Sequence, residues 1–391
     1  MRLRNKLAYS LVITLMSVMF AISAVHAGPR EQAKRLHDRL AGVPLSSVVL
    51  DSMTTKIQNG DTIGAAYEAM ENPAFYNATL KDFSTPWTNR DGSVYSDLND
   101  FSATVIGMIR DDVLFTEVLS GNIVYIGSAD ASNNEAYSQT NNNHYEELQQ
   151  RNVNLGDSNN LIQTQQTSLP GNVLPAEATA GVMTTRGFAE SFLVAGTNRA
   201  AVRFASVNFL CKDMEDLRDI TARPDFIRQD VTRSPGGDSN IFLTDCLTCH
   251  AGMDGLAGAF AYYDFDEENL QIAYTAGSVQ PKYLRDSDVF RFGHETTYDG
   301  WINYWRSGPN AYLGWQGTGS GLGAKSLGVE LASTRQFAEC QVKKTFEKVC
   351  YRPPNGAVDH QLVEDVATVF QSNNYSMKRV FADTAAYCMG N

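Results

Sequence analysis

From residue 31 onward, apolar side chains recur mostly at helical intervals. In Glu31–Leu40 they fall at Ala33, Leu36 and Leu40, one face of a short helix that Gly42-Val43-Pro44 closes. Ser46–Ile57 predicts a second helix, and Asp61 is placed to cap a third over Thr62–Met70. Val105, Met108, Ile109, Val113, Leu114 and Val118 predict a longer helix over Phe101–Leu119, followed by a short apolar run at Gly121–Gly127 that suits a strand. From Ser128 to Ser168 Asn, Gln, Ser and Thr dominate, which predicts a polar loop or linker with one helical piece near His144–Arg151. Glu177–Met214 and Ile241–Tyr263 again carry helical patterns, the former broken near Gly196 and the two separated by the turn Pro235-Gly236-Gly237. Gly277–Gly323 is loop-rich, with Trp301, Trp305 and Trp315 as core anchors. Three amphipathic helices end the chain, over Ser326–Val349, Asp359–Gln371 and Ser376–Cys388. The expected fold is therefore mainly α. Its parts are an N-terminal helical segment (28–127), a polar linker or loop (128–170), a central domain (171–325) and a C-terminal three-helix module (326–391).

The first 27 residues read differently. Arg2, Arg4 and Lys6 precede an almost wholly apolar run, Leu7–Ala24, and Val25-His26-Ala27 offers small residues at the positions a signal peptidase reads. A retained membrane anchor is the alternative, but Gly28-Pro29 suits the start of a mature chain better than a continuing helix. The expectation is export to the periplasm or the outside, with no transmembrane segment in the mature chain. The whole chain carries 32 basic and 44 acidic residues, and removal of the leader's three basic residues leaves a net charge of −15. That balance speaks against nucleic acid as a partner, since nucleic acid requires a basic face.

One motif carries chemistry. Asp245-Cys246-Leu247-Thr248-Cys249-His250 contains Cys-x-x-Cys-His, which in an exported chain reads as c-type haem attachment. Two thiols three residues apart on a helical turn can reach the two vinyl groups of one haem edge, and the adjacent imidazole can ligate the iron. A thioredoxin-like dithiol needs no histidine beside its second cysteine. A structural zinc site needs a second ligand pair, which no nearby spacing supplies. Cys246 and Cys249 are thus the expected thioether anchors of one haem c, and His250 is the expected proximal ligand. The motif occurs once, which disfavours a di-haem peroxidase. It marks 171–325 as a haem-binding, cytochrome c-like domain.

Cys246–Asp264 resembles the haem segment of the planctomycete-type cytochrome c proteins, in which Cys-x-x-Cys-His is followed by an apolar residue, Asp-Pro-Leu-Gly and an aromatic-acidic pair. Gly255 stands where that family carries Pro after Asp254. Further similarities follow in the same order: Lys34–Pro44, Ile109-Arg110-Asp111-Asp112 through Tyr125, Ala180–Thr185, and Phe337-x-x-Cys340 through the last helix. The resemblance implies a secreted, mainly helical haem protein and identifies no electron partner.

A low-spin electron-transfer haem needs a second axial ligand, usually Met or His. No methionine lies between Met253 and Met377, so His294, on a loop 44 residues past His250, is the first candidate and Met183 the second. His144 is expected to be solvated in the polar stretch, and His360 exposed. Asp111-Asp112 and Glu146-Glu147 are adjacent residues that point about 100° apart on a helix, so neither forms a catalytic pair. The other four cysteines are expected to bridge. Antiparallel packing of the last three helices favours Cys350 with Cys388, leaving Cys211 for Cys340. The function expected from these observations is one-electron transfer to a redox partner protein. A haem oxidoreductase with an open iron position acting on peroxide, oxygen or an organic substrate is the enzymatic alternative, and a binding or structural module with a stabilising haem is the third.

Overall fold

The structure, a computed structural model, describes residues 27–390, so the segment read as a leader lies almost wholly outside it. The first three helices form where their caps predict. α1 (Pro29–Ala41) opens with proline in its first turn and ends on Gly42 in the left-handed region (φ 70°). Ser46 caps α2 (Ser47–Gln58), and the Asp61 carboxylate accepts from the Gly64 N–H at 2.8 Å at the head of α3 (Thr62–Met70). α4 (Asp100–Arg110) begins with reciprocal capping between Asn99 and Ser102 and is buried along its whole length. It does not continue to Leu119. Asp112 turns the chain into the left-handed region (φ 55°), and Phe115–Val118 form only a 3-10 turn.

The polar stretch after Ser128 is built into the core. β1 (Val124–Gly127) pairs antiparallel with β2 (Leu161–Thr164), and α5 (Asn143–Gln150) lies between them in sequence. Tyr137, Tyr145, Leu148, Leu155 and Leu161 join the same hydrophobic core as the flanking helices. His144 is buried rather than solvated: its Nδ1 faces the Glu135 carbonyl at 2.6 Å and its Nε2 accepts from the Gly127 N–H at 2.8 Å. That core is continuous from Ala33 to Met389, so the four segments read from the sequence share one apolar interior.

α6 (Arg186–Phe192) and α7 (Arg199–Leu210) are separated by a break in which Ala195, Gly196 and Asn198 all have positive φ. A π-turn over Phe242–Cys246 leads into α8 (Leu247–Ala257). The helical pattern expected to reach Tyr263 ends earlier, because Tyr263 opens a hairpin of β3 (Tyr263–Asp266) and β4 (Gln271–Tyr274). A second hairpin pairs β5 (Gly300–Ile302) with β6 (Ser320–Leu322). Gly252 and Gly255 of α8, with Gly258 just past its end, let it sit directly on this second hairpin. A Cβ at Gly252 would fall 2.0 Å from the Trp305 indole nitrogen, and one at Gly258 would fall 2.1 Å from the Gly300 carbonyl oxygen. Trp301, Trp305 and Trp315 are all buried, as expected of core anchors.

The stretch Ser326–Val349 is two helices, α9 (Gly323–Ala332) and α10 (Arg335–Cys350). The Thr334 hydroxyl accepts from the Phe337 N–H at 2.9 Å and starts the second of them. α11 (Gly356–Ser372) and α12 (Met377–Cys388) complete the chain. α12 packs on α10 and also on α1 and α3, so the first and last described helices lie together. Cys350 bridges Cys388 and Cys211 bridges Cys340, the pairing that antiparallel terminal helices predict. Among the described residues no helix is long and apolar enough to cross a membrane. Among the described residues the fold is mainly α, with three two-stranded antiparallel sheets.

Candidate functional site

α8 presents Cys246 at its N-cap, Cys249 and His250 one turn later, and Met253 in the next turn, a 3–4 spacing that keeps them on one face. Cys246 and Cys249 are unbridged and half-buried, in contrast to the four paired cysteines. Together with His250 they line a cleft of about 540 Å³. Its opposite wall is α7, through Arg199, Ala200, Arg203 and Phe204, and Met214 closes one edge. The Cys249 thiol lies 3.4 Å from the Met214 carbonyl oxygen.

Behind the cleft the histidine is tied down. His250 Nδ1 is 3.0 Å from Asp254 Oδ1, one helical turn on. Asp254 has no exposed side-chain surface. The Arg199 guanidinium donates to both its oxygens, Nε to Oδ1 at 2.7 Å and Nη2 to Oδ2 at 3.0 Å, and the Arg228 N–H donates to Oδ2 at 3.2 Å. Arg199 also grips Asp230 through two bonds of 2.7 and 2.8 Å. Burial alone would raise the Asp254 carboxyl, but the guanidinium of Arg199 and the His250 N–H outweigh it and hold the group well below the usual carboxylate range. α7 is itself fixed at its start, where the Asn198 amide donates to the carbonyls of Phe260 and Tyr263 at 2.9 Å each. The imidazole therefore has one nitrogen anchored by a buried carboxylate, while Nε2 has no hydrogen-bond partner among the described residues.

The structure brings neither proposed second ligand to this cleft. His294 is held by its backbone, its N–H donating to the Ile227 carbonyl at 2.9 Å, and its ring stacks on Phe226 with centroids 4.5 Å apart. It lines a separate apolar cleft with Phe242, Leu247, Phe290 and Phe292. Met183 is fully buried in the main core, in the 3-10 turn Gly181–Thr184. The methionine missed in the sequence is Met214, read as the end of the helical stretch Glu177–Met214; the helix stops at Leu210, and Met214 lines the cleft from the loop that follows. Arg199 and Asp230 were also missed, since their link to Asp254 spans 55 and 24 positions of chain; Asp254 alone carried a local signal, four residues after His250 on one helix face.

The remaining residues weighed from the sequence are structural. Tyr263 is buried, its hydroxyl donating to the Ala178 carbonyl at 2.6 Å. Asp111 pairs with Arg110 at 2.7 Å and Asp112 accepts from the Ser376 hydroxyl at 2.5 Å, so the two acids serve different neighbours. Among the described residues no group of three or more His, Cys, Asp or Glu is placed to hold a metal ion, so the second ligand pair of a structural zinc is not assembled at Cys246 and Cys249. No family model matches this chain, and neither a curated protein nor a solved structure matches it.

Proposed function

We propose that this chain is an exported c-type haem protein that holds one covalent haem at Cys246, Cys249 and His250 and transfers single electrons. The observation that carries the reading is the convergence of two unbridged thiols and a carboxylate-anchored imidazole on one cleft. The donor set fits the cofactor. Cys246 and Cys249 would form the two thioethers, and His250, its Nδ1 already engaged, would offer Nε2 to the iron. The cleft's volume lies within the ~300–1,000 Å³ typical of cofactor and ligand sites. Ala200, Phe204, Met214 and Met253 give the cleft apolar surface against which a macrocycle would pack. When bound, the haem supplies a one-electron iron couple. The protein's own residues attach it and fix the imidazole's tautomer. The resemblance to the planctomycete-type cytochrome c proteins, the two disulfides and the N-terminal leader pattern support the same reading. A redox partner with a basic face would complement the acidic chain.

Two methionines, Met214 and Met253, line the cleft and could offer sulfur to a bound iron. Met214 comes from a segment separate from α8, which makes it the candidate second ligand in place of His294 and Met183. An oxidoreductase with an open iron position is the second reading, favoured by the seating of His294 in a different cleft. Ferric and ferrous absorption spectra separate the two. Six-coordinate low-spin iron with a far-red sulfur-to-iron band, lost in Met214→Leu, is the expected result. High-spin ferric iron unchanged in that variant would overturn the electron-transfer reading in favour of the open-site one.

A further inference from the structure

We infer that Asp254 is a positioning residue that puts negative charge on the iron-binding imidazole and so sets the reduction potential of the site. The inference rests on the haem reading above and concerns this chain's own side chains. Three observations carry it. The Asp254 side chain is wholly buried, so its charge is not screened by water. Its four bonds come from three residues, and His250 is the one neutral side chain among the donors: Oδ1 receives His250 Nδ1–H and Arg199 Nε–H, and Oδ2 receives Arg199 Nη2–H and the Arg228 backbone N–H. Finally, Arg199 is shared with Asp230, so the guanidinium does not neutralise Asp254 alone.

The chemistry follows from the direction of the His250 bond. A carboxylate that accepts from Nδ1–H draws the proton toward itself, gives the ring imidazolate character and makes Nε2 a stronger donor. A stronger anionic donor favours ferric over ferrous iron, because the ferric ion carries the larger charge, and the potential falls. Asp230 supplies a control within the same network. It holds the same guanidinium but makes no bond to His250.

The test is the reduction potential, by spectroelectrochemistry, of the haem-loaded wild-type, Asp254→Asn and Asp230→Asn proteins. Outer-shell partners of metal-bound histidines typically matter by about 10–100-fold. Applied to the ferric-to-ferrous preference, that factor is an upward shift of roughly 60–120 mV in Asp254→Asn, at ~59 mV per tenfold for one electron. Asp230→Asn should shift the potential by much less, even where both variants lose similar thermal stability. Equal shifts in the two variants, or none in Asp254→Asn, would overturn the inference. Should Asp254→Asn fail to fold, the wild-type protein decides: the iron–histidine stretch of its ferrous carbonyl photoproduct must lie at the high-frequency end expected of an anionic imidazole, and a neutral-imidazole frequency refutes the proposal. Wild-type protein with no covalent haem would instead refute the reading on which the inference rests.

Discussion

Replacing Cys350 and Cys388 together by alanine removes a bridge that closes 38 positions of chain and fastens the end of α10 to the end of α12. The change deletes little packing, so its cost comes from freedom returned to the unfolded chain. With the chain-entropy relation, a loop of that size gives about 13 cal/mol/K, or about 3.9 kcal/mol at 25 °C. The described residues 27–390 unfold with an entropy of about 0.76 kcal/mol/K, so that loss lowers Tm by about 5 °C. The Cys211–Cys340 bridge spans 129 positions, and the same relation gives about 4.9 kcal/mol, or about 6 °C. Differential scanning calorimetry of the two double variants measures both. The longer bridge must cost more. Shifts near zero, or the opposite order, would refute the entropic reasoning, and four titratable thiols in the native protein besides Cys246 and Cys249 would refute the pairing itself.

Gly258→Ala drives a Cβ into the Gly300 carbonyl 2.1 Å away, where backbone cannot yield, so it should cost about 1–3 kcal/mol in chemical denaturation and reduce haem incorporation by displacing α8. Arg199→Leu leaves Asp254 buried without its cation and should cost about 3–5 kcal/mol, and a loss below about 1 kcal/mol would show that the pair is not structural. Burial pushes the His144 imidazole below its ordinary 6.5 and outweighs Glu135, which pulls the other way. The unfolded chain then binds a proton that the fold refuses, so stability should fall as pH drops through 6.5; NMR titration checks it, and a His144 midpoint at or above 6.5 would contradict the packing.

The helices with local signals were legible: Ser46 and Asp61 start helices through side-chain caps and Gly42 ends one through its left-handed backbone, whereas the cap at Thr334 was read through as part of one helix over Ser326–Val349. What the pattern missed was decided at long range. The polar stretch 128–168 carries too few apolar residues to predict a core segment, yet Tyr145 donates to the Tyr125 carbonyl at 2.8 Å and Arg110 donates to the Leu161 carbonyl at 2.7 Å. Those bonds satisfy buried backbone carbonyls that local structure leaves open, and they pull the stretch into the fold. The β3–β4 hairpin was hidden because Tyr263 extends the apolar run of α8 without a break in composition. Spacing singled out Cys246, Cys249 and His250, which the structure places together along one cleft. The two second-ligand candidates, His294 downstream and Met183 upstream of the motif, lie outside the cleft, which α7 and the Met214 loop line instead.

The central claim is covalent haem at one site, and peptide mass spectrometry tests it most directly. The protein, produced through an export route that carries the c-type maturation machinery, is digested and its 246–250 peptide weighed beside a pyridine haemochrome spectrum of the intact chain. The account predicts one haem per chain on the peptide containing Cys246 and Cys249, and none in the Cys246→Ala, Cys249→Ala double variant. A haem-free peptide with both thiols intact would contradict it.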